Sequence, residues 1–248
     1  MSERAWYLGC RADQVGESAV LVGDRGRVLL AAEILDDAEV LNEDRGLTTA
    51  TGSYRGERIT VSAFGMGAPI AAVVLHELAG LGVRRFVRLG TVMTVGETQL
   101  GEFVVAHGAV RGESTSSTYL PLEYPAVPDF ALTRALEDAV REAGLPTRSG
   151  LYASYDGFYT EMFETGVGLT SVDDRYATLE RVGIVATDME TSAVLVAARA
   201  LRVAAASLCL ASVAGRTNEK MARPERAVAE KQLLEAGFRA LSAAPATV

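Results

Sequence analysis

The sequence predicts an α/β domain, a mainly parallel sheet with helices on its faces. Short apolar runs of strand length alternate with longer stretches of helical periodicity, and glycines punctuate the junctions. Of the 248 residues, 49% are hydrophobic and 23% charged, too apolar for disorder and enough for a substantial core.

Taken along the chain, Ala19 to Val22 is an apolar run that enters a glycine turn and then a helix. Thr49 to Ala63 reads as a hairpin, because TATGSY and RITVSAF flank a turn containing Arg55 and Gly56; its second strand is Arg58 to Ala63. A helix over Pro69 to Gly80 starts on proline and is closed by Gly80 and Gly82. Strands follow at Arg85 to Leu89 and Glu102 to Ala109. The helix Pro128 to Ala143 ends at Gly144, with Asp129 early and Arg141 late, as the helix dipole favours. Ser149 to Ser154 is a strand, Val172 to Arg181 a helix and Gly183 to Ala186 a strand. The longest apolar stretch, Ala193 to Ser212, is cut by Arg199 and Arg202. It reads as the helix Asp188 to Ala200 followed by the strand Ala204 to Ser212, not as a membrane span. A helix over Arg223 to Ala240 precedes the tail SAAPATV, expected to fray. With no repeat, linker or break in composition, one domain is expected over residues 1–248.

A formal charge of −8 argues against a surface that neutralises nucleic-acid phosphates. Cys10 and Cys209 lie far apart and form no CxxC pair, and no His or Cys cluster has metal-ligand spacing, so neither disulfide framework nor metal is expected. The N-terminus carries no apolar run of signal-peptide or anchor length; a cytoplasmic protein without membrane contact is expected.

Four segments can carry chemistry. LVGDRGRV, Leu21 to Val28, brings a glycine turn, a helix N-terminus and Arg27 together, a combination that suits an anion and serves equally as an ordinary strand-to-helix connection. AFGMGAP, Ala63 to Pro69, allows close backbone approach to a ligand or is a bare turn. VRRFVRLGTV, Val83 to Val92, puts Arg88 near the carboxyl end of a strand, where open α/β sheets bind ligands, although an edge strand could end the same way. ATDMETSA, Ala186 to Ala193, ends a strand in Asp188 and Glu190, which cannot share one helical face. One can cap the helix while the other accepts from vicinal hydroxyls. His76 and His107 have no motif partner and read as structural, and there is no GxSxG elbow. Phe158, Tyr159 and Phe163 suit either a core or a stacking platform.

In order, VGDRGRV, FGMGAP, VRLGT, LPLEYPAVPDF, SYDGFY, TDMETSA and GRTNEK resemble the nucleoside phosphorylases, and among them the uridine phosphorylases, from about Leu8 to Lys220. The resemblance implies a three-layer α/β fold with a twisted, partly barrelled mixed sheet flanked by helices. It implies a homo-oligomer, dimer or hexamer of dimers, with shared active sites. The implied reaction is phosphate-dependent cleavage of an N-glycosidic bond to free base and ribose 1-phosphate, with inorganic phosphate as co-substrate and no other cofactor. Gly23, Arg27, Arg88 and Thr91 match phosphate-binding positions, and Arg45 an arginine lent by the neighbouring subunit. Met189 and Glu190 match the ribose grip, with Arg88 and Glu190 the catalytic pair; Phe158 and Arg216 match base-side positions.

The departures cluster at the base. A glutamine and an arginine that read uracil are replaced by Met162 and Glu164; donors become acceptors or vanish, so a base other than uracil is expected, pyrimidine-like or modified. Val92 and Met93 stand where the family has smaller residues, and Val213 stands where related purine phosphorylases carry a proton-donating aspartate. Tyr7 corresponds to a histidine lent to the ribose, Asp188 to a glutamate, and Gly46 to a glutamate of a monovalent-cation site, so no such ion is expected. Hydrolysis by water and nucleoside binding with little catalysis remain as alternatives. Arg27, Arg88 and Arg45 are expected to make the pocket of this acidic chain positive.

Overall fold

The computed structural model describes residues 4–163 and 165–244. The chain begins with β1 (Ser18–Val22), α1 (Arg25–Ala32), β2 (Asp36–Asn42), β3 (Thr49–Tyr54) and β4 (Glu57–Ala63). It continues through α2 (Ala68–Gly80), β5 (Arg85–Thr94), β6 (Phe103–Gly112), α3 (Phe130–Glu142) and β7 (Thr147–Tyr155). A π-helical turn at Phe158–Met162 leads to α4 (Val172–Arg181), β8 (Ile184–Asp188), α5 (Thr191–Ala200), β9 (Ala204–Ala214) and α6 (Arg223–Ala243).

The strand order is β2-β3-β4-β1-β5-β8-β7-β6-β9, and a further pairing of β5 with β9 closes the last five strands on themselves. This is the partly barrelled sheet that the resemblance implies. It is mixed, not mainly parallel: β2–β3, β3–β4, β5–β8 and β6–β9 are antiparallel. Strands buried on both faces read as the same apolar run in either direction, so the periodicity could not tell them apart. The hairpin stands as expected, with Tyr54 opposite Glu57.

The closed part has its own filling. Val92, Val104, Tyr152, Ala186 and Cys209, one from each of its five strands, pack together, and the Tyr152 hydroxyl donates to the Val104 carbonyl at 2.6 Å, satisfying the polar atom inside. On one face of the open part, Val20, Val61 and Val87 pack under α1, α3 and α6 through Val28, Leu136 and Phe238. On the other, Ala19, Leu21 and Phe86 pack under α2 and α5 through Leu75 and Val194. The sheet between two helical layers gives the three-layer arrangement. α4 covers the end of the barrel through Tyr176 and Leu179.

Several elements differ from expectation. β5 runs five residues beyond Leu89, and α6 takes up Ser242 and Ala243 of the tail expected to fray, whose residues 245–248 lie outside the described ones. β2, sequence DDAEVLN, is an exposed edge strand whose acids hid it, since only one of its neighbours is a strand and its side chains are largely in solvent. The helix expected from Asp188 begins at Thr191, because Asp188 completes β8 and pairs with Ser154.

Gly215, just after β9, leaves no room for a side chain: a Cβ there would lie 2.1 Å from Tyr176 Cε1 and 2.3 Å from the Thr94 carbonyl oxygen. Gly215→Ala is expected to lower unfolding free energy by about 1–3 kcal/mol through overpacking, read from urea denaturation; an unchanged midpoint would refute this packing.

Candidate active site

A cavity of about 630 Å³ opens beyond the carboxyl ends of β1, β4, β5 and β8. β1 lies between β4 and β5, parallel to both, with chain connections leaving to either side, the place where α/β sheets leave a crevice. The size suits a small-molecule ligand.

Arg88 is the most constrained group in it. On β5, Phe86, Arg88, Gly90 and Val92 alternate onto one face. The guanidinium folds back over Gly90, where a Cβ would stand 2.5 Å from Nη1, so only glycine fits two residues on. Arg88 is 3% exposed. Nη1 donates to Cys209 Sγ at 2.7 Å and lies 3.1 Å from Asp188 Oδ2; Nη2 donates to Glu190 Oε2. Burial works against the charge, but the Cys209 sulfur, Asp188 and Glu190 together more than offset it, holding the guanidinium well above the ordinary arginine range. Burial pushes the Cys209 thiol up, with the neighbouring Arg88 charge opposing.

The two acids divide their work at the start of α5. Asp188 accepts from Ser154 Oγ at 2.6 Å and from the Thr191 hydroxyl and amide, capping the helix from its strand position. Glu190 accepts from the Gly67 amide at 2.7 Å and from Arg88. An ionised carboxylate offers roughly four acceptor positions, so about two remain for ligand hydroxyls.

At the other end, Gly23, Asp24, Arg25 and Arg27 of the β1–α1 turn line the wall. Arg27 is 5% exposed. Its Nη1 donates to the Leu89 carbonyl at 3.2 Å and its Nε to Glu230 Oε1 at 3.3 Å. Burial lowers its pKa, with Glu230 opposing. Arg226 of α6 also lines the cavity.

The pocket is therefore not uniformly positive, as net arginine count implied. Around the β1–α1 turn Arg25, Arg27 and Arg226 face Asp24 and Glu230, whereas Arg88 answers both Asp188 and Glu190. Buried charges must be paired, so the arginines arrived with carboxylates.

Of the residues singled out in the sequence, Gly23, Arg27, Arg88, Thr91, Phe158, Met162, Met189 and Glu190 converge on this cavity. Val92, Met93 and Val213 join Phe158 and Met162 to make one end apolar. Phe158 stacks on Phe163 with centroids 5.7 Å apart. Arg216 is not in the lining: Glu180 grips it at 2.9 and 3.0 Å and Asp173 at 3.2 Å, tying the end of β9 to α4. Tyr7 and Arg45 also stand outside it, the guanidinium 5.4 Å above the Tyr7 ring, although Gly46 reaches the lining. Glu164 lies outside the described residues. His76 and His107 face Tyr119 and Glu137 at the surface. Cys209, Arg226 and Glu230 were missed; a cysteine in an apolar strand and a helix of mixed charges carry no motif.

The Phosphorylase superfamily model matches residues 17–243. The chain belongs to that superfamily. Guanosine phosphorylase of Halorubrum lacusprofundi is 34% identical over 229 residues, 91% of this chain and 90% of that one. Uridine phosphorylase of Thermococcus kodakarensis is 35% identical over 155 residues, 62% of this chain and 56% of that one. The crystal structure of uridine phosphorylase from Vibrio fischeri superposes with a TM-score of 0.85 at 26% identity, covering 97% of this chain and 98% of that chain. Against this phosphorylase fold, the cavity at the strand ends is the candidate active site. No helix among the described residues is long and apolar enough to cross a membrane.

Replacing Arg88 by methionine leaves Asp188 and Glu190 buried without their cation. This is expected to cost about 3–5 kcal/mol of stability in urea unfolding, with Glu190→Gln in the same background recovering part of it; a loss below about 1 kcal/mol would show that the carboxylates find other partners.

Proposed function

We propose that this phosphorylase uses the cavity to cleave a nucleoside with inorganic phosphate as co-substrate, needing no other cofactor, and that its preferred base is not uracil. The supporting observation is Arg88, which is ion-paired with Glu190 and lines the same cavity as the arginines of the β1–α1 turn. One residue thereby joins an end suited to a dianion with an end suited to vicinal hydroxyls.

Phosphate lies against Gly23, Arg27, Arg88 and Thr91. The Gly23 turn and the first turn of α1 present backbone N–H groups, and the arginines add charge-assisted forks. Ribose lies against Met189, with its 2′ and 3′ hydroxyls donating to the acceptor positions left on Glu190. A phosphate oxygen forms its bond to C1′ as the C1′–N bond breaks, and the base nitrogen keeps the electron pair and takes up a proton. Positive charge gathers on the sugar in between, so placing the dianion and fixing the ribose is most of what the protein must supply. Arg88 and Glu190 are the catalytic pair in this reading. Tyr7 and Arg45, outside their own cavity, are offered to the site of a second copy in a homo-oligomer.

Phe158 gives the base a ring to stack on, and Val92, Met93, Met162 and Val213 surround it with apolar surface. That surface has nothing to pair with the carbonyls and N–H of uracil. Glu164 carries an acceptor-only side chain that suits a base bearing an exocyclic amine beside a ring N–H. Guanosine fits that description, and the relative matched over nine-tenths of its length is named for it.

A panel of nucleosides with and without phosphate tests the reading. Phosphate-dependent release of base, fastest with guanosine and slow with uridine, is expected. Equal release without phosphate makes the protein a hydrolase, and ligand-induced thermal stabilisation without turnover makes it a binding protein. Arg88→Lys, which keeps the charge and loses the fork, should raise the phosphate KM at least about tenfold. Met162→Gln with Glu164→Arg should move preference toward uridine; no gain would place base selection elsewhere.

A further inference from the structure

We propose that Arg226 is a further phosphate-binding residue, set beside Arg27 by the shared carboxylate of Glu230. The inference rests on the phosphorolytic reading above and adds a residue from the C-terminal helix, far in sequence from the β1–α1 turn.

The two arginines meet on a single oxygen. Arg226 Nε donates to Glu230 Oε1 at 2.9 Å, and Arg27 Nε donates to the same atom at 3.3 Å. The guanidiniums therefore meet at one carboxylate oxygen, Arg226 held by Nε and Arg27 by Nε and by Nη1 on the Leu89 carbonyl. No protein acceptor among the described residues is in hydrogen-bond contact with the Nη groups of Arg226 or with Nη2 of Arg27. Both residues line the cavity.

Charge separates this arrangement from an ordinary helix-surface pair. Arg226 and Glu230 are one turn apart, and an exposed pair at that spacing contributes little by itself. Here the carboxylate serves two cations. Adjacent guanidiniums repel, and Arg226 contributes to the lowered pKa of Arg27, after burial and against the pull of Glu230. Among the described residues Glu230 is the one carboxylate ion-paired with both cations. Asp24 caps α1 by accepting from the Gly26 amide at 2.8 Å, and its pull on Arg27 is weaker than that of Glu230 and than the repulsion from Arg226. The Nη groups of Arg226 and Nη2 of Arg27 are left for an entering dianion.

The support beneath Arg226 is rigid. Leu233, Leu234, Phe238 and Leu241 of α6 are fully buried, and Arg85 donates to the Leu241 and Ala244 carbonyls at 3.0 and 2.9 Å, fastening the far end of the helix to the sheet. Arg226 itself keeps 39% of its side chain exposed, enough for an entering anion to reach it. The phosphate end thus draws on α1, β5 and α6 of one chain.

The experiment uses the full chain and inorganic phosphate. Thermal melting against a phosphate series gives binding without turnover, and steady-state kinetics give the two KM values. Arg226→Ala is expected to raise the phosphate KM about tenfold and to weaken the phosphate-induced melting shift to match, with the nucleoside KM unchanged. Arg226→Lys should restore part of the loss. Arg223→Ala, one turn earlier on the exposed start of α6 and outside the cavity lining, should leave the phosphate KM within about twofold, as a charge that touches no ligand does. If Arg88→Lys impairs phosphate use while Arg226→Ala does not, or if Arg223→Ala acts as strongly as Arg226→Ala, the role of Arg226 is overturned and the phosphorolytic reading stands. If phosphate neither shifts the melting of the unmodified protein nor enters its reaction, both fall.

Discussion

A buried guanidinium determines how this site is built. Arg88 has almost no contact with solvent, and an isolated charge so placed is untenable. The fold answers by bringing two carboxylates to it from the end of β8 and a sulfur from β9. Those demands fix other features in turn. Gly90 must lack a side chain, Asp188 must finish a strand and cap a helix at once, and the Gly67 turn must lie close enough to donate to Glu190. Removing the charge would leave both carboxylates buried without their cation, each keeping only its bonds to Ser154, Thr191 or Gly67.

The chemistry follows from the same arrangement. Because the protein already satisfies part of each charged group, what remains unsatisfied points into the cavity. Glu190 has spent about half of its acceptor capacity, and Arg27 has spent its Nε and Nη1 and keeps Nη2. In the proposed reaction a ligand would take up the donor and acceptor positions that the polypeptide leaves open. Preorganisation of this kind is how a site stabilises a developing charge without rearranging at the moment of reaction.

Much of this was legible in the sequence, for identifiable reasons. Buried strands announced themselves as short apolar runs, and an arginine interrupting such a run at its carboxyl end, Arg88, was conspicuous against that background. The two acids of TDMETSA were visible because a strand was ending and a helix beginning. Strand direction was invisible, since apolar runs carry no arrow, and barrel closure came only from the family resemblance. β2 was lost because an edge strand exposed to water has no reason to be apolar. Arg226 and Glu230 were lost because a carboxylate four residues from an arginine on a helix is the commonest of surface patterns, and only the approach of α6 to α1 gives it meaning. Total charge misled in one respect: counting arginines around a pocket ignores the carboxylates that folding obliges them to bring.

The acidic edge at β2 has a consequence for how copies of this chain can meet. A free strand edge is an open row of hydrogen-bonding groups, and a second copy would normally be able to zip onto it. Asp36, Asp37 and Glu39 crowd this one, and the pairing with β3 shifts register twice along its seven residues. Two such edges brought together would set like charges against each other on an uneven ladder. Sheet continuation at this edge is thereby disfavoured as a mode of growth.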